Sequence, residues 1–207
     1  KSLSKALFAG AGVLAAVIGF ASQKAFSNII SGIFILIFRP FRVKDVIEVN
    51  KTYKGVVEEI TLRHTIIRNY ENRRIIIPNS IIDDETIVNS NIIDQLVHKF
   101  VEFDISYESN IDLAKQIITD EAINHPMSID NRTKQEKLSD TPMILLRIIA
   151  LGDFSVKIRA YVWCRNNDEA FALTCDLNES VKKRFDREGI EIPYPHRTVV
   201  EKKYNIQ

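Results

Sequence analysis

Cysteine is scarce in this chain, with only Cys164 and Cys175 among 207 residues. Neither has a metal-like spacing or a conspicuous histidine partner, so the plain reading is two free thiols in a reducing compartment. An excess of charge is lacking too. Lysine and arginine number 28 against 27 aspartates and glutamates, which gives no global field to attract nucleic acid or an acidic partner. Catalytic patterns are missing: there is no glycine-rich phosphate loop, no H-x-x-x-H and no C-x-x-C. His64, His98, His125 and His196 are scattered over separate elements. Asp83-Asp84-Glu85 follows Pro78-Asn79 and reads as a solvated turn rather than a carboxylate site. Arg63, Arg68, Arg73 and Arg74 are basic, but Tyr70 stands nearly alone among them, without the aromatic platform that single-stranded nucleic acid stacks on. The chain therefore reads as a non-enzyme, with no cofactor, no metal and no nucleic-acid partner.

Where charge is absent locally is more telling. From Ala6 to Phe38 the chain is almost uninterrupted apolar and small, with Lys24 its single charge. One straight helix of that length would measure ~50 Å, against a hydrocarbon core of ~30 Å. A bend is expected at Lys24, because a charge deep in hydrocarbon costs ~2.5 kcal/mol or more. Ala6 to Gln23 then makes about one crossing. Beyond Lys24, Phe26, Ile29, Ile30, Ile33, Phe34 and Ile37 share a helical face, with Ser27, Asn28 and Ser31 on the other side. That second helix suits a membrane surface or a protein layer. Arg39, Arg42 and Lys44 follow, which places this end in the cytoplasm.

The first helix is rich in small residues. At 100° per residue, Ala9, Val13, Ala16 and Phe20 fall on one face. Gly12, Ala15 and Gly19 make one flank, with Gly10 and Ala21 on the other. Small residues on both flanks let neighbours pack closely on each side, as a ring of identical helices requires. Two other readings stand beside this one: a single-span anchor, and a signal peptide with Lys1 and Lys5 as its charged start. The chain opens on lysine rather than methionine, so further residues are expected upstream.

After Phe41 come short runs rich in valine, isoleucine and threonine: Val46 to Val49, Gly55 to Leu62, Thr65 to Asn69 and Arg74 to Ile77. They predict a small all-β barrel or sandwich ending near Asn91. From Val97 the pattern is strand (Val97 to Ile105), helix (Ile111 to Asn124), strand (Met143 to Leu151), strand (Val156 to Cys164), helix (Glu169 to Arg187). With a last strand at Ile190 to Ile192, this is the ferredoxin-like order. Thr198 to Tyr204 makes one more exposed strand. The expected domains are therefore residues 1–38, 39–95, 96–195 and 196–207.

Several stretches occur in the order found in the small-conductance mechanosensitive channel (MscS) family. They are Gln23-x-x-x-Ser27-Asn28, Phe38-Arg39-Pro40-Phe41, Gly55-Val56-Val57-x-x-Ile60, Arg63-x-Thr65-x-Ile67-Arg68, Ile77-Pro78-Asn79-Ser80 and Ile192-Pro193-Tyr194-Pro195. Together they span essentially the whole chain, which resembles this family's third transmembrane helix and its cytoplasmic part. The resemblance implies a broken pore helix, a small Sm-like β-barrel domain, a ferredoxin-like αβ domain and a C-terminal barrel strand. It also implies a homo-heptamer in the bacterial inner membrane, multi-pass when full length and cytoplasmic from about residue 39. Its partners would be membrane lipid and permeating ions and small osmolytes. The family's two constricting pore residues fall on Phe20 and Ala16. Ala16 departs from the usual leucine, so one dominant constriction at Phe20 is expected. Ala9, Val13 and Lys24 would line the pore, and Lys24 stands where relatives often carry glycine at the bend. Gly10, Gly12, Ala15, Gly19 and Ala21 would pack neighbouring helices. Gln23, Asn28 and Gly32 would act at the hinge or the domain contact.

Overall fold

The computed structural model describes residues 2–197, with the side chains of 10–197. It divides into two compact units between Asp94 and Gln95. The first unit opens with α1 (Ser2–Phe38). Two helices parted near Lys24 are expected from the sequence. Helical pairing instead runs through Lys24 unbroken. The reason is local: no proline or glycine lies between Ala21 and Ser31, and the Asn28 side-chain amide donates to the Lys24 carbonyl at 2.8 Å. What changes near Lys24 is the environment. Residues upstream are exposed almost all round, whereas Asn28, Ser31, Gly32 and Ile35 form one buried stripe at helical spacing. Phe26, Ile30 and Ile37 stay exposed on the other side, so the polar and small face is the one that meets protein.

The helix ends where Arg39 turns to φ 50° and Pro40 prevents continuation. The chain then forms β1 (Val46–Val49), β2 (Tyr53–Ile60), β3 (His64–Arg68) and β4 (Arg74–Pro78), then the short α2 (Asn79–Asp84) and β5 (Ile87–Asn89). The strands make one antiparallel sheet in the order β4-β3-β2-β1-β5. A bulge at Val57/Glu59 breaks the β2–β3 register, the kind of irregularity that sharpens a small sheet's twist. Ile35, Phe41, Ile47, Val57, Ile67 and Ile82 share its core, so α1 and α2 cap the same apolar layer. Asp83 and Asp84, expected in a turn, belong to α2.

The second unit runs β6 (Val97–Ile105), α3 (Ile111–Asn124), α4 (Lys134–Leu138), β7 (Leu145–Leu151), β8 (Val156–Cys164) and α5 (Asn167–Glu188). Its antiparallel sheet has the order β6-β8-β7, and strict alternation along β8 puts Val156, Ile158, Ala160, Val162 and Cys164 inward. These pack with Ile117, Ile118, Leu173 and Leu177 of α3 and α5 in one core. Capping explains the helix starts: the Asn110 side chain accepts from the amides of Asp112 and Leu113, Asn166 accepts from Glu169, and Gly189 ends α5 at φ 74°. α4 begins with a Thr133–Glu136 capping box.

The strand expected at Ile190 to Ile192 does not form. Glu191 instead bonds a turn: its carbonyl accepts from the Ser106 amide at 2.9 Å, and its amide donates to Ser109 Oγ at 3.0 Å. Pro193 and Pro195 have no amide with which to extend a ladder. The expected Thr198 to Tyr204 strand lies outside the described residues.

Candidate pore helix and its anchorage

Gly10–Phe38 is the one segment among the described residues that is long and apolar enough to cross a membrane. Its large side chains lie in the open. Val13 is 65% exposed and Phe20 79%, unlike the core helix of a soluble protein. Val13, Ala16, Phe20 and Lys24 share one stripe, spaced three, four and four residues apart on a continuous helix. Ala9 is in the same helix, but its side chain is outside the described set. On the flanks, a Cβ added to Gly10, Gly12 or Gly19 would meet nothing within 4 Å. Ala15 and Ala21 are likewise exposed, as is Gln23. Within one copy, then, the flanks are open surface, and a stripe bearing one bulky ring lies between them.

The lower part of α1 is tied to the β unit by polar groups. Asn28, 8% exposed, accepts at Oδ1 from the Ser80 amide at 3.1 Å and from Ser80 Oγ at 3.0 Å. This satisfies one of the free amides at the start of α2. One turn on, Ser31 Oγ donates to Asp83 Oδ2 at 2.9 Å. Beside them Gly32 lies against the β unit so closely that a Cβ there would stand 2.5 Å from Asn79 Nδ2 and 2.9 Å from the Leu62 carbonyl carbon. Asn79 is itself fixed: Nδ2 donates to the Thr61 carbonyl at 2.8 Å, and Oδ1 accepts from Thr65 Oγ1 at 2.9 Å. Asn28 and Gly32 thus come together, while Gln23 stays apart from them. Ser31, Asn79, Ser80 and Asp83 complete the contact, a role the sequence did not assign to them. The available signal was Pro78-Asn79-Ser80, a proline followed by residues that favour helix starts.

The Phe38-Arg39-Pro40-Phe41 junction is also held in place. Phe41 is 1% exposed, and Asn89 Nδ2 donates to the Pro40 carbonyl at 3.0 Å and to Asp45 Oδ2 at 2.9 Å. Arg39 and Arg42 border a cavity of about 250 Å³ with Ile35, Leu36 and Ile60. Among the described residues, no three of His, Cys, Asp or Glu gather as a metal site would require.

An exposed apolar helix whose end is built into the core of a β unit, followed by an αβ unit, fits a transmembrane helix with two folded units after it. Residues 24–92 match the mechanosensitive ion channel β-domain, and residues 101–192 match the C-terminal domain of mechanosensitive ion channel MscS. The chain is 31% identical over 201 residues to an uncharacterized MscS family protein of Archaeoglobus fulgidus, covering 95% of this chain and 65% of that one. It is 32% identical over 205 residues to the small-conductance mechanosensitive channel MscMJ of Methanocaldococcus jannaschii, covering 97% and 55%. Against a small-conductance mechanosensitive channel of Caldanaerobacter subterraneus it is 30% identical over 201 residues, covering 96% and 67%. The fold matches that of Helicobacter pylori MscS in its closed state with a TM-score of 0.81 at 24% identity, covering 96% of this chain and 74% of that one. The chain belongs to the MscS family, a family of channels rather than enzymes. It spans 65% and 55% of the length of the archaeal relatives named above.

Proposed function

We propose that this chain forms the pore and vestibule of a homo-oligomeric channel, a heptamer, that opens under membrane tension. It would release ions and small osmolytes on hypo-osmotic shock across a bacterial inner membrane, with the part after residue 38 cytoplasmic and further membrane helices in the full-length protein. The observation that carries this reading is the α1 stripe, where Phe20 is 79% exposed between flanks of glycine and alanine. A ring of such phenylalanines narrows a passage enough for water to leave it, which blocks ions without a plug. Ala16, one turn away, adds a weaker second ring, and Ala9, Val13 and Lys24 extend the lining. Gly10, Gly12, Ala15, Gly19 and Ala21 supply close surfaces on which neighbouring helices slide or tilt. Tension acts only through the area difference between two packings of the ring, so two-state packing of these flanks is the physical requirement.

The test is Phe20→Ser recorded by patch clamp under suction. Hydrating the constriction should give a leaky channel, open at lower tension, with impaired growth of cells expressing it. Unchanged activation tension with normal growth would remove Phe20 from the gate.

A further inference from the structure

Between Gly10 and Phe38 the sole charge is Lys24, and the fold fixes the direction in which it points. Because α1 is unbroken through Lys24, side-chain directions on either side of it follow from a turn of about 100° per residue. Phe20, Asn28, Ser31 and Ile35 all fall within about 40° of Lys24. Asn28, Ser31 and Ile35 are buried on the β unit, yet Lys24, one turn before Asn28, is exposed. Phe26, Ile30, Ile33 and Ile37 are exposed and apolar, and they fall about 120–180° away. Theirs is the side that suits lipid. A lysine that snorkels to headgroups leaves from the lipid side of its helix, and Lys24 stands on the opposite one. It points as Phe20 does, one turn nearer the β unit.

The ammonium is also free. The Asn28 amide bonds the Lys24 carbonyl, a backbone group, so the side chain takes no part in holding α1 to the β unit. It has no ion-pair partner among the described residues, and no aspartate or glutamate occurs before Asp45. A carboxylate does meet the same stripe further down, where Asp83 Oδ2 accepts from Ser31 Oγ at 2.9 Å. Ser31 lies seven residues on, about 10 Å along the axis. At that separation salt screens most of the field between exposed charges. The charges that follow on the chain, Arg39, Arg42 and Lys44, have the same sign as Lys24.

We propose that Lys24 is the charge filter of the pore: a ring of lysines one turn inside the Phe20 constriction that passes anions, anionic osmolytes among them, in preference to cations. This rests on the homo-oligomeric pore proposed above and names the class of solute it favours. Rings of lysine or arginine select anions as rings of aspartate or glutamate select cations. Screened attraction summed over the copies in a ring favours anions by on the order of tenfold.

The experiment is patch clamp under suction on the full-length protein, with reversal potentials read in asymmetric KCl. Native channels should favour chloride over potassium by on the order of tenfold; Lys24→Gln should bring the ratio to about one, and Lys24→Arg should keep it. Lys24→Cys in a Cys175→Ser background gives a second reading within one patch. A negatively charged methanethiosulfonate should turn its preference to cations, and a positively charged one should bring back anion preference. Because each patch is compared with itself, poor assembly of a variant cannot mimic either change. Tension-gated currents with the same preference in Lys24→Gln, or a Lys24→Cys channel indifferent to both reagents, overturn the filter and leave the channel reading standing. Native channels that favour cations overturn the filter too. A protein that gives no tension-gated current overturns both.

Discussion

Replacing Gly32 by alanine sets two known effects against each other. Alanine favours a helix interior over glycine by about 1 kcal/mol, so a glycine serving only as a hinge would be stabilised by the change. Against this, the new methyl would stand 2.5 Å from Asn79 Nδ2 and 2.9 Å from the Leu62 carbonyl carbon, and nearer still to the Leu62 oxygen. Neither neighbour yields cheaply. Leu62 presents backbone, and Asn79 is fully buried with its amide held by Thr61 and Thr65. Overpacking of this kind costs about 1–3 kcal/mol, and losing one of the Asn79 bonds adds about 1 kcal/mol. The packing terms win, for a net loss of about 1–3 kcal/mol at the α1–α2 contact. Hydrogen exchange of the full-length protein in detergent reads this directly at residues 79–84. A loss of about 1–3 kcal/mol corresponds to exchange about 5-fold to on the order of 100-fold faster there. Slower or unchanged exchange in Gly32→Ala would refute the packing argument and return Gly32 to the role of a hinge.

Three further outcomes are expected. Lys24→Glu should shift reversal potentials toward cation preference if position 24 faces the ion path, and identical potentials would place it outside. Asn28→Ala removes the acceptor for the Ser80 amide and hydroxyl, and should cost about 1–2 kcal/mol, as loss of a helix cap does; thermal unfolding in detergent measures it, and an unchanged midpoint counts against the cap. Cys164 is fully buried, and burial pushes its thiol up to about 11. In a Cys175→Ser background it should therefore resist maleimide at neutral pH until the chain is unfolded, and rapid native labelling would contradict the burial.

The hydrophobic pattern exposed most of this architecture because the pattern and the burial share a cause. Val156 to Cys164 alternates in sequence and alternates inward and outward in the sheet. Ile111 to Asn124, between a capping asparagine and Pro126, folds over those residues. The short elements were not legible. α2, α4 and β5 are six, five and three residues long, less than two helical turns or a usable alternation. The stripe on α1 could be read because it depends only on helix geometry. Its anchorage could not: the partners Asn28 and Ser80, or Ser31 and Asp83, are 52 residues apart, and no local pattern joins them. Gly32 shows the difference most clearly. Its helix-weakening character is written in the sequence, whereas the backbone pressed against it is a property of the fold. The break expected at Lys24 was inferred from bilayer thickness, a constraint on where a helix lies and not on whether its hydrogen bonds persist.

The burial of Ile35 at 2% in the same core as Phe41 and Ile82 moves the natural seam of this molecule. Composition puts it at Arg39, where greasy sequence gives way to charged. Folding puts it upstream of Asn28, because the β unit is completed by the last three turns of the helix. A water-soluble fragment begun at Arg39 would lose the lid of its own core, along with the Ser80 and Asp83 partners, and should aggregate. One begun just before Asn28 keeps the lid but leaves Ile30, Ile33 and Ile37 in water, and needs polar replacements there. The same seam makes the lower half of α1 a shaft keyed into its bearing: helical pairing runs without interruption from the exposed upper half to the residues packed on the sheet, with no linker between them.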